Sequence, residues 1–288
     1  MKKPDSVYIG KKILLTTMHK KELYLKAPCE KILGASLSIS DESINTDALG
    51  TFSGEIERKG NQKETVLKKC FLGLKGSGFT LGVANEGSFG PHPQIPFIAS
   101  SLETLVFVDT TRKVEIFETM LFKETNYRHT TCTNLDDLTN FFKYALFPSH
   151  GLIIRPNLCN DKTILFKGIQ DITKLKESIS LCAKHSDDKL AHIETDMRAH
   201  MNPTRGLNLK KLGIRLFRRL SRLCPLCHTP GWGITDLKKG RPCLICQCPT
   251  ELASSYIWTC IQCPYQKEQR FPECLHYANP SYCNVCNP

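Results

Sequence analysis

The chain has 288 residues, 39 Lys/Arg against 28 Asp/Glu, a formal net charge of +11 and 15 cysteines. This length suits about two domains, and the lack of an apolar signal segment and of any run of roughly 18 apolar residues argues against a secreted or membrane protein. We therefore expect a cytoplasmic protein whose thiols stay reduced and available for metal binding.

The positive charge is concentrated before Cys224. This part carries 34 Lys/Arg and 24 Asp/Glu, whereas the remainder carries five and four. A basic surface attracts polyanions over a long range. The expected partner is therefore a nucleotide or a nucleic acid, bound through the N-terminal part.

Strands and helices alternate along residues 1–204, which is typical of a layered α/β domain. The apolar spacing and the turn residues predict, in chain order, a strand at 13–17, a helix at 20–33, a polar loop at 41–60, a helix at 64–74, a strand at 80–84, a hairpin of 105–109 and 114–119, a helix capped by Asn134, strands at 152–155 and 164–167, and a helix at 171–184.

Two predicted turns carry groups suited to chemistry. After the first strand, His19 and Lys21 precede a helix whose N-terminus can help to hold phosphate. The segment 84–93 is predicted as a loop at the carboxyl end of a strand, with Glu86 as a base or metal ligand and His92 as a titrating group. A rigid structural turn is the alternative for this loop.

Strict alternation of apolar and polar residues predicts a strand over 191–200. The polar side chains of such a strand share one face, and here they are His192, Glu194, Asp196, Arg198 and His200. A half-exposed strand with a solvated polar face would explain the same alternation without a function.

The next predicted helix spans 207–223 and is preceded by Arg205. Four cations form a stripe opposite its leucines: Lys211, Arg215, Arg218 and Arg222. Such a stripe suits a polyphosphate or a nucleic acid, while the solvated face of a surface helix is the alternative. The stripe has few aromatic neighbours, which argues against base stacking on it.

Four Cys-x-x-Cys pairs follow: Cys224/Cys227, Cys243/Cys246, Cys260/Cys263 and Cys283/Cys286. Each pair provides half of a tetrahedral thiolate site, so the four predict two structural zinc ions in a double zinc ribbon. Redox dithiols and disulfides are the alternatives, but the surrounding prolines and glycines favour turns. The spacing leaves open which pairs share an ion, and it leaves open the roles of Cys248 and Cys274.

The N-terminal part also offers oxygen ligands, which Mg²⁺ prefers. The candidate carboxylates for a magnesium site are Glu55, Glu64, Glu86, Glu194 and Asp196. The candidates for binding substrate phosphates are His19, Lys21, Arg198, His200 and Arg205.

Four stretches, at 86–93, 194–205, 224–227 and 283–288, resemble an uncharacterised bacterial family, domain of unknown function 6671. They read Glu86-Gly-Ser-Phe-Gly-Pro-His-Pro93, Glu194-Thr-Asp-Met-Arg-Ala-His-Met-Asn-Pro-Thr-Arg205, Cys224-Pro-Leu-Cys227 and Cys283-Asn-Val-Cys286-Asn-Pro288. The resemblance covers nearly the whole chain and implies one architecture without implying an activity.

A second resemblance is to the inosine triphosphate pyrophosphatase fold. The turn from Thr16 to Lys21, the helix with Glu64 and Lys69, the segment 84–88, and the pair His200 and Arg205 take the corresponding places in order. Asn85-Glu86 stands where that family has two aspartates. The resemblance implies that Glu64 and Glu86 bind Mg²⁺ and activate water, while Lys21 and Arg205 hold the triphosphate.

The expected architecture is an α/β domain with a mixed, layered sheet at 1–204, a basic joining helix at 205–223, and a small Cys-rich zinc-ribbon region at 224–288. The leading functional hypothesis is Mg²⁺-dependent hydrolysis of a phosphoanhydride in a nucleotide-like substrate, with Glu64, Glu86, His92, Glu194 and Asp196 as candidate catalytic residues. The alternative is a non-catalytic adaptor that binds nucleic acid or protein through the basic helix and the zinc ribbons. A tail that closes over the α/β site or mediates dimerisation is a third possibility.

Overall fold

The structure is a computed structural model that describes residues 6–41, 44, 60–159, 161 and 163–288. The chain forms two compact units, one over Gly10–Leu216 and one made of Phe217–Pro288 with the segment that ends at Ile9. Glu55 and nearly all of the predicted 41–60 loop lie outside the described residues.

The first half of the Gly10–Leu216 unit is a sheet with two helices. In chain order its elements are β1 Lys12–Thr16, α1 Glu22–Leu33, β2 Ser36–Ile39, α2 Gln62–Leu74, β3 Leu81–His92, β4 Ile95–Asp109 and β5 Val114–Phe122. The strand order is β2-β1-β3-β4-β5. β1 is parallel to β2 and β3, whereas β3, β4 and β5 form an antiparallel meander, so the sheet is mixed.

The position of β1 inside this sheet explains its sequence. Ile13, Leu14 and Leu15 are all buried, because a strand with neighbours on both sides and layers on both faces has no solvated face. Thr16 at its end pairs with Ala84 of β3. The residues after β1 and the middle of β3 therefore meet at one edge of the parallel strands, which is where open α/β sheets place their ligands.

The second half of the unit is a smaller antiparallel sheet. Its elements are β6 His129–Cys132, α3 Thr139–Ala145, β7 Leu152–Pro156, β8 Phe166–Ile169, α4 Ile172–Lys184 and β9 Ala191–Thr195, followed by α5 Pro203–Leu220. The strand order is β6-β9-β7-β8. Leu175 and Ile179 of α4 pack with Ile154 and Ile193 of the sheet. Asp171 caps α4 by accepting a hydrogen bond from the N–H of Lys174.

The Phe217–Pro288 region contains a third sheet. Its strands are β10 Gly233–Lys239, β11 Ala253–Thr259 and β12 Gln266–Arg270, antiparallel in that order. The rings of Trp232 and Trp258 stack with their centroids 6.2 Å apart, and those of Tyr256 and Phe271 lie 4.6 Å apart. Aromatic pairs at these separations supply a small core to a region in which few of the described aliphatic side chains are buried.

The predicted α/β class is confirmed, and three local predictions are corrected. The segment 84–93 is not a loop, because β3 runs on to His92 and pairs with β4 throughout. The predicted 191–200 strand ends at Thr195, so Asp196, Arg198 and His200 do not share the strand face of His192 and Glu194.

The third correction concerns Asn134. It does not cap an α-helix directly, since its Oδ1 accepts from the N–H of Asp136 at the start of a 3₁₀ turn, Asp136–Leu138, that precedes α3.

None of the described helices combines the length and the apolar character that crossing a membrane requires.

The close approach of α2 to β1 yields a testable prediction. A Cβ placed on Gly73 would lie 1.9 Å from Oγ1 of Thr16, which is fully buried. Although alanine is the better helix former, we expect Gly73→Ala to lower the free energy of unfolding by about 1–3 kcal/mol, because overpacking forces the helix away from the strand. Urea denaturation measures this change.

The matched control is Gly90→Ala, because a Cβ at Gly90 would meet no atom within 4 Å. The control should change stability by less than about 0.5 kcal/mol. Equal effects of the two substitutions would contradict the packing argument.

Candidate functional site

Lys21 is buried at the start of α1. The turn after β1 places Lys20 at a φ of 51° and leaves Lys21 only 5% exposed. The Nζ of Lys21 donates to the carbonyl oxygen of Asn85, 3.3 Å away. Lys21, which the sequence placed before a helix as a candidate phosphate-binding residue, therefore lies beside the middle of β3.

A second buried lysine reaches the same carbonyl group from α2. The Nζ of Lys69 lies 2.6 Å from Oε2 of Glu86 and 3.5 Å from the oxygen of Asn85. The side-chain amide of Asn85 donates to Oε2 of Glu103 and to the carbonyl of Thr104, each at 3.0 Å. One residue of β3 thus binds groups from α1, α2 and β4.

The third cation is Arg205 of α5, which pairs with the fully buried Glu103. Its Nε lies 2.7 Å from Oε1 of Glu103, and its Nη2 lies 3.3 Å from Oε2. Its Nη1 donates to the carbonyl of Met197, and its guanidinium lies 5.0 Å from the ring centroid of Phe89. A Cβ on Gly87 would lie 2.6 Å from Nη2, so this position requires glycine.

These five side chains, Lys21, Lys69, Arg205, Glu86 and Glu103, are called the charge cluster below. All five are buried, and among the described residues three cations face two carboxylates. Glu86 is paired with Lys69 and Glu103 with Arg205, which leaves Lys21 as the cation in excess. Burial, followed by repulsion from Lys69 and Arg205, lowers the pKa of Lys21 from 10.5 to about 7.

A rim of partly buried groups adjoins the charge cluster. The rings of His19 and His200 stack with centroids 5.6 Å apart, and His19 lies two residues before Lys21. Arg198 holds the fully buried Asp196 with its Nε at 3.0 Å from both carboxylate oxygens and its Nη2 at 2.6 Å. The structure therefore brings the predicted phosphate-binding residues His19, Lys21, Arg198, His200 and Arg205 into one region.

His200 is suited to accept a proton. Its Nδ1 is buried and has no hydrogen-bond partner among the described residues. Burial and the nearby charges of Arg198 and His19 lower the pKa of His200. The imidazole is therefore neutral near pH 7, which is the form that acts as a general base.

Three predicted catalytic residues lie elsewhere among the described residues. Glu64 is exposed in the first turn of α2, where its Oε1 accepts from the amide of the N-cap residue Asn61 at 2.8 Å. His92 ends β3, and its Nδ1 accepts from the N–H of Gln94. Glu194 lies on β9, with its carboxylate 3.6 Å from Nε2 of His192. The structure gives Glu64 a capping interaction.

The candidate residues that sequence reasoning missed are Lys69, Asn85 and Glu103. Lys69 and Asn85 had a sequence signal only through the resemblance to the pyrophosphatase fold. Glu103 interrupts the apolar run of β4 with a charged side chain and is fully buried. Because a buried acid needs a partner, a charge within an apolar strand is the signal that could have identified it.

The described carboxylates do not fit a magnesium site as they stand. Glu86, Glu103 and Asp196 each already bind a protein cation at 2.6–2.7 Å, and Glu64 is turned to Asn61. Mg²⁺ would need those cations to leave, since it demands negatively charged or neutral oxygen ligands in octahedral geometry. The donor set of the charge cluster instead suits an anion.

The Cys-x-x-Cys pairs form two clusters of four thiols, and the pairing is interleaved. The first and third pairs meet as Cys224, Cys227, Cys260 and Cys263, and the second and fourth as Cys243, Cys246, Cys283 and Cys286. Neighbouring pairs along the chain therefore do not share a site, which resolves the alternative that the spacing left open. Cys248 and Cys274 belong to neither cluster.

The local fold of the pairs repeats. In the first, second and third pairs the N–H of the first cysteine donates to the carbonyl five residues later, as from Cys224 to Thr229 and from Cys243 to Cys248. His228 and Gln247 both adopt a positive φ, of 56° and 60°. Backbone N–H groups also point at sulfur, with Leu226 and Ile245 each 3.4 Å from the Sγ of the cysteine two residues before.

The sulfur positions fit a tetrahedral metal ion such as zinc. In the first cluster Cys224 and Cys263 have their Sγ atoms 3.7 Å apart, and in the second Cys246 and Cys283 have theirs 3.5 Å apart. Zn–S bonds of about 2.3 Å at tetrahedral angles place two sulfurs about 3.8 Å apart. Each cluster can therefore hold one ion by small adjustments, and the ion would cross-link strands that have little core of their own.

The profile of the family described as "Domain of unknown function (DUF6671)" matches residues 69–288, which include β3, the second sheet and all eight clustered cysteines. No match was found among the curated proteins.

Metal stoichiometry in native mass spectrometry tests the interleaved pairing. We expect two ions per chain, one ion in Cys224→Ser/Cys260→Ser because both residues belong to one cluster, and none in Cys224→Ser/Cys243→Ser because both clusters lose a ligand. Pairing of neighbouring motifs would reverse the results of the two double variants. The control Cys274→Ser should keep both ions.

Proposed function

We propose that this chain, which belongs to the DUF6671 family, binds the phosphates of a nucleotide-like substrate at the charge cluster and hydrolyses one of its phosphoanhydride bonds. The observation that carries the proposal is the excess of buried positive charge at the edge of the parallel strands, where, among the described residues, Lys21 faces two further cations and two carboxylates. In this proposal the two cysteine clusters hold structural zinc.

An anionic ligand would remove the electrostatic cost of this arrangement. Within the described part of the chain, the hydrogen-bond partner of Lys21 is a backbone carbonyl and not a carboxylate. An unpaired charge in a protein interior costs several kcal/mol, and phosphate oxygens beside Lys21 would supply the missing counter-charge and accept its hydrogen bonds. Lys69 lies against the same Asn85 carbonyl and is placed to contribute to the same anion.

The same groups suit the hydrolysis of a phosphoanhydride. Water attacks phosphorus, the bond from phosphorus to the bridging oxygen breaks, and the departing phosphate takes the electron pair. Negative charge shifts towards the bridging oxygen in this step, and fixed cations in a site without bulk water stabilise it. The proton of the attacking water passes to a general base, for which neutral His200 with its unpartnered Nδ1 is our candidate.

A non-catalytic adaptor is the second proposal, and exposed apolar residues at the tips of the cysteine motifs favour it. Leu226, Leu244, Ile245 and Val285 are each at least 60% exposed. The cationic stripe of α5 supports it less well. Arg215 pairs with Glu118, and Arg222 lies 5.1 Å from the ring centroid of Trp258, so half of the stripe is already engaged.

Phosphate and pyrophosphate release from a panel of nucleoside triphosphates tests the enzymatic proposal. We expect Lys21→Met to lower the rate by about 10²–10³-fold, because it removes the cation in excess. The variant should fold, since it replaces an uncompensated buried charge by an apolar chain of similar length. Assays with Mg²⁺ and with a chelator test the predicted magnesium dependence separately.

Lys113→Met is the matched control, since Lys113 is exposed in the turn between β4 and β5. If Lys21→Met leaves the rate of phosphate release unchanged, the hydrolysis does not take place at the charge cluster. If the wild-type protein releases neither phosphate nor pyrophosphate from any member of the panel, hydrolysis is rejected and the adaptor becomes the favoured function.

The lowered pKa of Lys21 predicts a pH-dependent anion affinity. Below about pH 7 the amine is charged and ready for an anion, whereas above it binding must first protonate the amine. Sulfate affinity should therefore fall as pH rises through about 7, with proton uptake on binding above that pH. Calorimetry in two buffers of different ionisation enthalpy measures the uptake, and Lys21→Met should abolish it. Proton release instead of uptake would contradict the assignment.

A further inference from the structure

A second candidate site lies on the Gly10–Leu216 unit, and its lining contains none of the five residues of the charge cluster. It is an open cavity of about 320 Å³ between the first residues of β4, the connection from β5 to β6, and α3. The side chains that matter to the argument are Phe97, Lys123, Asn126, Tyr127, Arg128 and Tyr144.

Two of these aromatic side chains are unusually exposed. Phe97 is 88% exposed, the largest exposure among the described large hydrophobic residues, and Tyr144 is 60% exposed. Transferring a phenyl ring from water to a packed surface is favourable by about 1.5–3 kcal/mol. An exposed ring beside a cavity is therefore a feature that a planar ligand can use.

Cations accompany the rings. The guanidinium of Arg128 lies 4.2 Å from the ring centroid of Tyr144, which is the separation of a stacked cation–π pair. Lys123 lines the same cavity, and no acidic residue does so within the described part of the chain. Glu124, next to Lys123, has its carbonyl bound by Asn208 and is not part of the lining.

The floor of the cavity is rigid. The amide of Asn126 donates to the carbonyl of Ala145, and its Oδ1 accepts from Asn202, both at 2.8 Å. The backbone of Arg128 exchanges hydrogen bonds with Thr195, the last residue of β9. The rings and cations are thus carried on a fixed frame, which reduces the ordering cost of binding.

From these observations we propose that this surface binds single-stranded nucleic acid. Unpaired bases stack on exposed aromatic rings and on arginine planes, while lysine and arginine neutralise the adjoining phosphates. The cavity is open rather than enclosed, so a free mononucleotide would bury little surface, whereas a strand can use several rings and cations together. A duplex has its bases already stacked and gains nothing from the rings.

An acidic peptide is a poorer match. It would satisfy Lys123 and Arg128 but would leave Phe97 and Tyr144 exposed, because carboxylate side chains have no planar ring to lay on them. The net positive charge of the unit, with 29 Lys/Arg and 23 Asp/Glu over 10–216, adds long-range attraction for a polyanion of either kind. The rings therefore decide the class of ligand.

Fluorescence anisotropy with a labelled single-stranded oligonucleotide of mixed sequence tests the proposal in the full chain. We expect Phe97→Ala/Tyr144→Ala to raise Kd by about tenfold or more, because stacking on each ring is lost. Arg128→Gln should weaken binding and reduce the slope of log Kd against log salt by about one phosphate contact. These side chains are exposed, so circular dichroism should show unchanged folding.

The matched controls are Tyr282→Ala, with a tyrosine 61% exposed in the cysteine-rich region, and Lys113→Gln in an exposed turn. Both should leave Kd unchanged. The proposal is overturned if the double variant binds like wild type, if Tyr282→Ala weakens binding as much, or if a duplex or poly-glutamate competes as well as a single strand.

This test is independent of the proposed hydrolysis. Lys21→Met should leave oligonucleotide binding intact, and Phe97→Ala/Tyr144→Ala should leave phosphate release from nucleoside triphosphates intact. Failure of one proposal is thereby distinguished from failure of the other.

Discussion

The buried ion pair of Glu103 and Arg205 is the interaction on which the candidate site depends. It joins β4 to α5, and each partner binds further groups, since Glu103 also holds the amide of Asn85 and Arg205 also holds the carbonyl of Met197. Removing either charge would leave the other buried without compensation, at a cost of about 3–5 kcal/mol. The absence of a side chain at Gly87 is the local condition that lets the guanidinium approach. The pair sets the geometry of the site, and the proposed function assigns anion binding to Lys21 beside it.

The charge cluster and the cysteine clusters show two different ways of using buried charge. In the first, among the described residues, two cations are paired with carboxylates and the amine of Lys21 is left over, and in the proposed function this amine binds an external anion. In the second, four thiols converge closely enough to bind a single metal ion, which would supply the counter-charge for their thiolates. Carboxylates held by lysine and arginine are unsuited to Mg²⁺, whereas four converging sulfurs suit zinc. The two kinds of site therefore need not compete for metal.

The interleaved pairing of the cysteine motifs has a structural consequence. Each ion would connect segments about 33–43 residues apart in the chain, as between Cys227 and Cys260 or between Cys243 and Cys286. The three strands β10, β11 and β12 lie in the sequence between the first and the last cysteine pair. Two aromatic pairs contribute apolar contacts to this sheet. Metal binding and folding of this region are thus expected to be coupled, as in other small metal-dependent folds.

Local patterns were sufficient for the α/β class, most helix and strand positions, and the eight cysteines that form the two clusters, because these depend on apolar spacing and on the reach of a Cys-x-x-Cys turn. They failed for the segment 84–93, where glycine and proline indicated a loop but pairing with β4 stabilises a strand, and for the end of β9 at Thr195. Long-range contacts determined which cysteine pairs share a site and which carboxylates are already neutralised. Lys69 and Glu103 join the charge cluster from separate elements, and no spacing along the chain encodes that meeting. The sequence by itself shows which chemical groups are available and which of them lie close together along the chain. The partners of each group, and hence its charge state, depend on the packing of distant segments.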